Sequence, residues 1–196
     1  MTTIVTTTST RYSVIVADQG ITSDLVHPDM SKIVKQGTWL IGVCGESRVC
    51  DVLQYAVKYP KVPVTLRGKK IDEWFVWIVT RVVPQIQKTI QQNLHKDLWG
   101  TLGDSEAIIT THGHSFLLGE TLSVTKAEPY WSIGSGGHLA MGSLTDKLVK
   151  IDWESKHSDY AKEAIEVAKV HDPYTRGRVS GYLSYPSGKI IAVSGQ

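Results

Sequence analysis

Cysteine is scarce in this 196-residue chain: Cys44 and Cys50 are the only two. Two thiols are too few for a disulfide framework, and their separation is not the CxxC spacing of a zinc site, so no covalent or metal staple is expected and a reducing cytoplasm suits the chain. Long apolar runs are absent too. The longest, Trp74–Val79, is far short of the ~18 residues that span a bilayer, and the N-terminus has no basic stretch followed by an apolar one. A soluble, non-secreted protein without membrane contact is expected. A dense Lys/Arg block is also missing. The 21 basic residues nearly balance 19 acidic ones for a net charge of +2, with Arg67-Gly68-Lys69-Lys70 and Arg176-Gly177-Arg178 as the only clusters. That balance argues against a nucleic-acid partner. No linker, repeat or low-complexity segment divides the chain, and 41% hydrophobic content is ordinary for a core, so residues 1–196 read as one domain.

What the sequence does contain is a series of changes in period. Residues 2–9 and 12–18, rich in Thr, Val and Ile and broken at Ser9-Thr10-Arg11, predict two strands joined by a tight turn, and 38–44 a third strand. After Gly45, Val49, Val52, Leu53 and Ala56 recur at helical spacing up to Tyr59, and Pro60 ends the run. A second helix is predicted over 71–94, with Trp74, Ile78, Val82, Ile86 and Ile90 on one stripe and a kink or break at Pro84. Residues 106–111 and 115–118 predict a hairpin, and a further strand ends at Ile133. Helices follow from Gly136-Gly137 to about 149 and over 158–170, the latter with a Ser/Asp cap, then strands at 177–185 and 189–194. Strand blocks alternating with pairs of helices predict an α+β protein, a four-layer α/β/β/α sandwich of two antiparallel sheets.

The chain opens Met1-Thr2-Thr3-Ile4-Val5, and the run Ser13–Asp18 ends in a carboxylate. Removal of Met1, which the small Thr2 side chain allows, leaves Thr2 with both a hydroxyl and a free α-amine. An α-amine of ordinary pKa, about 7.7–8.0, can take the hydroxyl's proton, so one residue carries nucleophile and base.

Thr2-Thr3-Ile4-Val5, Ala17-Asp18, Ser31-Lys32-Ile33, Val43-Cys44-Gly45, Ile133-Gly134-Ser135-Gly136-Gly137 and Asp172-Pro173-Tyr174-Thr175-Arg176-Gly177 together resemble the proteasome β-subunits and the bacterial HslV peptidase, in order from residue 2 to about residue 183. Each motif alone is weak; six in sequence are specific. The resemblance implies an N-terminal nucleophile hydrolase, a threonine endopeptidase that cleaves peptide bonds inside a ring-shaped chamber. It makes Thr2 the nucleophile, Lys32 the cation that lowers the pKa of its hydroxyl and amine, and Asp18 the partner of that lysine. Ser135 falls on the serine that hydrogen-bonds the amine, and Asp172 and Thr175 on an Asp-x-x-Ser stretch, from which Thr175 departs while keeping the hydroxyl. Gly45 falls on the oxyanion-stabilising N–H. Thr22 falls where the main chain holds substrate as an added strand, and Met30 and Val43 near an apolar pocket for the side chain before the cut.

No cofactor or metal is implied. The partners implied are a polypeptide substrate, a homo-oligomeric ring and an ATP-dependent unfoldase. Since the sequence opens on Met1 without a propeptide, exposure of Thr2 is expected to depend on an aminopeptidase. Two alternatives stand beside this reading. One is a catalytically silent structural subunit of a larger assembly, such as a virion, with Met1 retained; the other is an amidase acting on a small amide. His112-Gly113-His114 offers two imidazoles but no third ligand nearby, and a hairpin turn explains it as well. Gly134-x-Gly136-Gly137 lacks the Lys-Ser/Thr of a P-loop. Trp74, Trp77 and Trp99 are read as core or subunit contact, and Cys44 as a packed small hydrophobe.

Overall fold

The two Thr- and Val-rich segments at the start pair with each other: β1 (Thr3–Thr8) and β2 (Ser13–Asp18) run antiparallel from Ile4 opposite Ala17 to Thr8 opposite Ser13. The computed structural model describes residues 2–20, 31–98 and 100–194. Thr22 and Met30, two residues with expected substrate contacts, and Trp99 lie outside them.

Eight further strands follow: β3 (Ile33–Gln36), β4 (Trp39–Cys44), β5 (Glu106–Thr111), β6 (His114–Leu118), β7 (Val124–Lys126), β8 (Tyr130–Gly134), β9 (Val179–Ser184) and β10 (Ile190–Ser194). They complete two five-stranded antiparallel sheets, ordered β10-β9-β2-β1-β8 and β3-β4-β5-β6-β7. The helices are α1 (Ser47–Asp51), α2 (Ile71–Trp77), α3 (Val83–Asn93), α4 (Gly137–Leu148) and α5 (Trp153–His171). The architecture is α+β.

The period of two in the strands sorts side chains into layers. In β1 and β2, Ile4, Ile15 and Ala17 face the second sheet, where they meet Leu40, Ile108 and Leu117. Their neighbours Val5, Val14 and Val16 face the other way, onto Ala140 and Leu144 of α4 and Ala161, Ala164 and Ile165 of α5. The second sheet does the same: Ile41, Ile109 and Phe116 turn to α1–α3 and pack with Leu53, Ile78 and Ile86. Helices, sheet, sheet and helices therefore stack, and each buried aliphatic or aromatic side chain contributes about 1.5–3 kcal/mol.

The stripe Trp74, Ile78, Val82, Ile86 and Ile90 is buried throughout, as its spacing predicts. The interruption at Pro84 takes the form of a wide π turn, Ile78–Val82, before α3. Proline clashes with the carbonyl four residues back, and a widened turn relieves that without ending the helix. A second π turn, Val52–Ala56, follows α1, and the run ends there instead of at Tyr59, because Val57 is already extended. α5 starts at Trp153, five residues before the predicted start, since Trp153, His157, Tyr160 and Ala161 continue the buried face seen at Ala164 and Ala168. β3 and β7, two short edge strands, complete the second sheet. No described helix is long and apolar enough to cross a membrane.

Candidate functional site

Thr2, one residue ahead of β1, and Asp18, the last residue of β2, lie side by side because the two strands are hairpin partners. The Thr2 hydroxyl donates to Asp18 Oδ1 at 2.9 Å, and the Thr3 N–H to the same oxygen at 2.8 Å. Lys32, just before β3 in the opposite sheet, donates from Nζ to Asp18 Oδ2 at 2.8 Å. That oxygen also accepts from the N–H groups of Arg176 at 3.0 Å and Gly20 at 3.2 Å. Asp18 is wholly buried, and a buried carboxylate persists only when paired and hydrogen-bonded; five donors meet that condition. Burial pulls the Lys32 ammonium below its usual pKa, opposed by Asp18 and, more weakly, by Asp172.

The second half of the site comes from the β8–α4 junction and the end of α5. Ser135 donates its N–H to the Thr2 carbonyl at 2.9 Å and its hydroxyl to Asp172 Oδ2 at 2.7 Å. Thr175 donates to the same carboxylate oxygen at 2.5 Å, and the Tyr174 N–H reaches Oδ1 at 3.1 Å. Burial alone would raise the Asp172 carboxyl; the hydroxyls of Thr175 and Ser135 and the Tyr174 N–H outweigh it and hold the group below the usual carboxylate range. Gly134 makes this approach possible. It sits at φ +93°, and a Cβ there would fall 1.9 Å from the Thr2 carbonyl oxygen, so no side chain fits.

Gly45 follows β4 and leads into α1, at φ +118°. A Cβ at Gly45 would lie 2.4 Å from Ser105 Oγ, which itself accepts from the Glu46 N–H at 3.0 Å and thereby fixes the turn. The Gly45 N–H has no acceptor among the described residues, and the residue is exposed. Val43 is 4% exposed and packs on the helical side with Val49 and Val52.

The structure thus brings Thr2, Asp18, Lys32, Ser135, Asp172 and Thr175 into one network, with Gly45 and Val43 on β4 and its following turn. Sequence reasoning missed Thr3, Ser105, Gln54 and the main-chain donors of Gly20 and Arg176. Gln54 was the most legible of these, a lone polar residue in an apolar run; its amide donates to the Lys32 carbonyl at 2.9 Å and steadies the lysine's backbone.

His112 and His114 do not converge on a metal position. His112 Nδ1 is 2.9 Å from Thr111 Oγ1, His114 Nδ1 is 3.0 Å from Glu128 Oε1, and no group of three or more candidate ligands exists among the described residues. An open cavity of about 850 Å3 beside these histidines is lined by Thr8 and Thr10, at the end of β1 distal to Thr2, and by none of the network residues. Cys44 is packed between the sheets, and burial, with Glu106 adding to it, pushes its thiol up to about 12.

No protein-family model and no curated protein sequence matches the chain. Solved structures do share its architecture, two of Thiobacillus denitrificans BPH among them. Thiobacillus denitrificans BPH in complex with epoxomicin superposes with a TM-score of 0.71 at 15% identity, over 93% of this chain and 98% of that one. A second structure of Thiobacillus denitrificans BPH gives 0.70 at 15% identity, over 95% and 100%. At that identity the likeness is one of fold, and it extends over nearly the whole of both chains.

Proposed function

We propose that the protein is a threonine-type peptidase of the N-terminal nucleophile hydrolase class, with Thr2 as nucleophile once Met1 has been removed. The observation that carries this reading is the shared buried carboxylate: Asp18 touches the Thr2 hydroxyl with one oxygen and the Lys32 ammonium with the other. A strand Thr needs no such neighbours. Supporting it is the likeness to a fold whose Thiobacillus representative binds epoxomicin, a proteasome inhibitor.

In this mechanism the Thr2 Oγ attacks the scissile carbonyl while its proton passes to the Thr2 α-amine. Asp18 anchors hydroxyl and ammonium alike, and the α-amine released with Met1 serves as the base. The oxyanion formed is met by the Gly45 N–H. Collapse breaks the C–N bond, and the leaving amine takes the proton from the α-ammonium. Water then cleaves the Thr2 ester by the same route in reverse, releasing the acid and restoring the hydroxyl. With Met1 attached, the Thr2 nitrogen is an amide and cannot serve as base.

Further parts of the proposal are a polypeptide substrate, a ring of identical subunits and delivery by an ATP-dependent unfoldase. Fluorogenic peptides, an unfolded polypeptide and a panel of small amides, each offered to the mature protein, test the reaction. Cleavage of polypeptide that is lost in Thr2→Ala supports the proposal. Hydrolysis of small amides alone would reassign the substrate, and no turnover of any of them would oppose an enzymatic role.

A further inference from the structure

The hydroxyl of Thr3 is wholly buried and sits between the two halves of the site. Thr3 Oγ1 lies 2.6 Å from Thr175 Oγ1 and accepts the Gly136 N–H at 3.1 Å. The direction of these bonds follows from proton counting. Asp172 is a carboxylate, hence acceptor only, so Thr175 must commit its single proton to Oδ2 at 2.5 Å. The contact between the two threonines then has only the Thr3 proton available, and Thr3 is the donor. The chain runs one way: Gly136 N–H to Thr3, Thr3 to Thr175, Thr175 to Asp172. Ser135 gives its own proton to that same oxygen at 2.7 Å, with its Oγ 3.5 Å from the Thr2 carbonyl oxygen.

The local sequence is consistent with this chain being built in. A Cβ on Gly136 would fall 2.3 Å from Thr3 Oγ1 and 2.7 Å from Thr175 Oγ1, so the second glycine of Gly134-Ser135-Gly136-Gly137 is what admits the hydroxyl pair. The Gly136 backbone itself, at φ −87°, suits any residue. Meanwhile the Thr3 N–H is held by Asp18 Oδ1. One residue therefore ties its backbone to the Asp18–Lys32 half and its side chain to the Asp172–Ser135 half.

We infer that Thr3 is a positioning residue of the Thr2 site: its hydroxyl fixes Thr175 on Asp172, and so holds the carboxylate that keeps the Ser135 hydroxyl beside Thr2. The kinetic consequence rests on the peptidase reading; the hydrogen-bond chain does not. The test compares Thr3→Val, which keeps the shape and removes the hydroxyl, with Thr3→Ser, which restores it. In Thr3→Val the pKa of the Asp172 carboxyl, followed by its 13Cγ shift on titration, rises toward the ordinary carboxylate value as the polarising donor is lost. Thr3→Ser returns it to the parent value. In the active protein Thr3→Val lowers kcat roughly tenfold with KM nearly unchanged, and Thr3→Ser recovers it. An Asp172 titration identical in parent and Thr3→Val overturns the inference. A parent protein without activity would count against the peptidase reading alone, and the titration would still decide the role of Thr3.

Discussion

Thr2 is one of several threonines at the start of the chain, and its neighbours show what ordinary ones do there. Thr6 and Thr7 are buried strand residues whose hydroxyls donate to the carbonyls of Val14 at 2.8 Å and His157 at 3.1 Å. Thr2 instead donates to a carboxylate that also holds an ammonium. Thr2→Ala should therefore lower peptidase turnover by roughly 10^4-fold or more while the protein stays folded, because Asp18 keeps its other four donors. Unchanged turnover would remove Thr2 from the chemistry. Lys32→Ala should cost roughly 10^2–10^4-fold in kcat and also destabilise the fold, since Asp18 loses its cation. Its signature lies in the pH profile. Burial draws Lys32 down from its usual value, so the parent's activity should fall off on the alkaline side earlier than an ordinary lysine would dictate, and a profile flat to pH 11 would contradict that.

Among the elements, the β8–α4 junction and α5 carry the sharpest expectations. Gly134→Ala places a methyl against the Thr2 carbonyl at a positive φ, and should cost about 2–4 kcal/mol in denaturant unfolding, more than an exposed glycine such as Gly68 would. α5 buries His157 beside Thr7. The Thr7 hydroxyl lies 3.0 Å from His157 Nδ1 and 3.1 Å from the His157 carbonyl, while the buried Nε2 has no hydrogen-bond partner among the described residues. Burial, only partly offset by Glu154 and Asp159, lowers the imidazole pKa to about 4. The unfolded chain, with an ordinary His, takes up the proton first. Stability should therefore be fully present above about pH 6.5 and decline as pH falls toward 4, by up to roughly 3 kcal/mol. His157→Gln should flatten that slope in urea titrations at pH 7 and pH 4.5; an equal slope in both proteins would place the titrating group elsewhere.

At the scale of the whole molecule, what sequence made legible was whatever repeats with a period. The stripe from Trp74 to Ile90 and the hairpin at 106–118 declare themselves by spacing, and the alternation of strand blocks with helix pairs announces the layers. β3 and β7 do not. They are three or four residues long and carry Lys35, Gln36 and Lys126, so nothing but pairing with β4 and β6 makes them strands. The start of α5 was obscured for another reason: Ser158 and Asp159 look like a cap, while the burial of Trp153 and His157 that extends the helix is a tertiary fact. In the site, Asp18, Lys32 and Ser135 were reached through six short motifs and a resemblance. Thr3 was not, because a threonine in a strand carries no mark of its partner 172 positions away. Main-chain donors such as those of Gly20 and Arg176 have no sequence signature at all.

Thr2, freed of Met1, is the residue proposed to react. Intact mass of the protein from its native source, before and after treatment with a peptide epoxyketone and followed by mapping of the modified site, tests it most directly. The mass should lack methionine and show one adduct per chain, joined to both the hydroxyl and the amine of Thr2. Methionine still attached, or an adduct that forms equally well on Thr2→Ala, would contradict it.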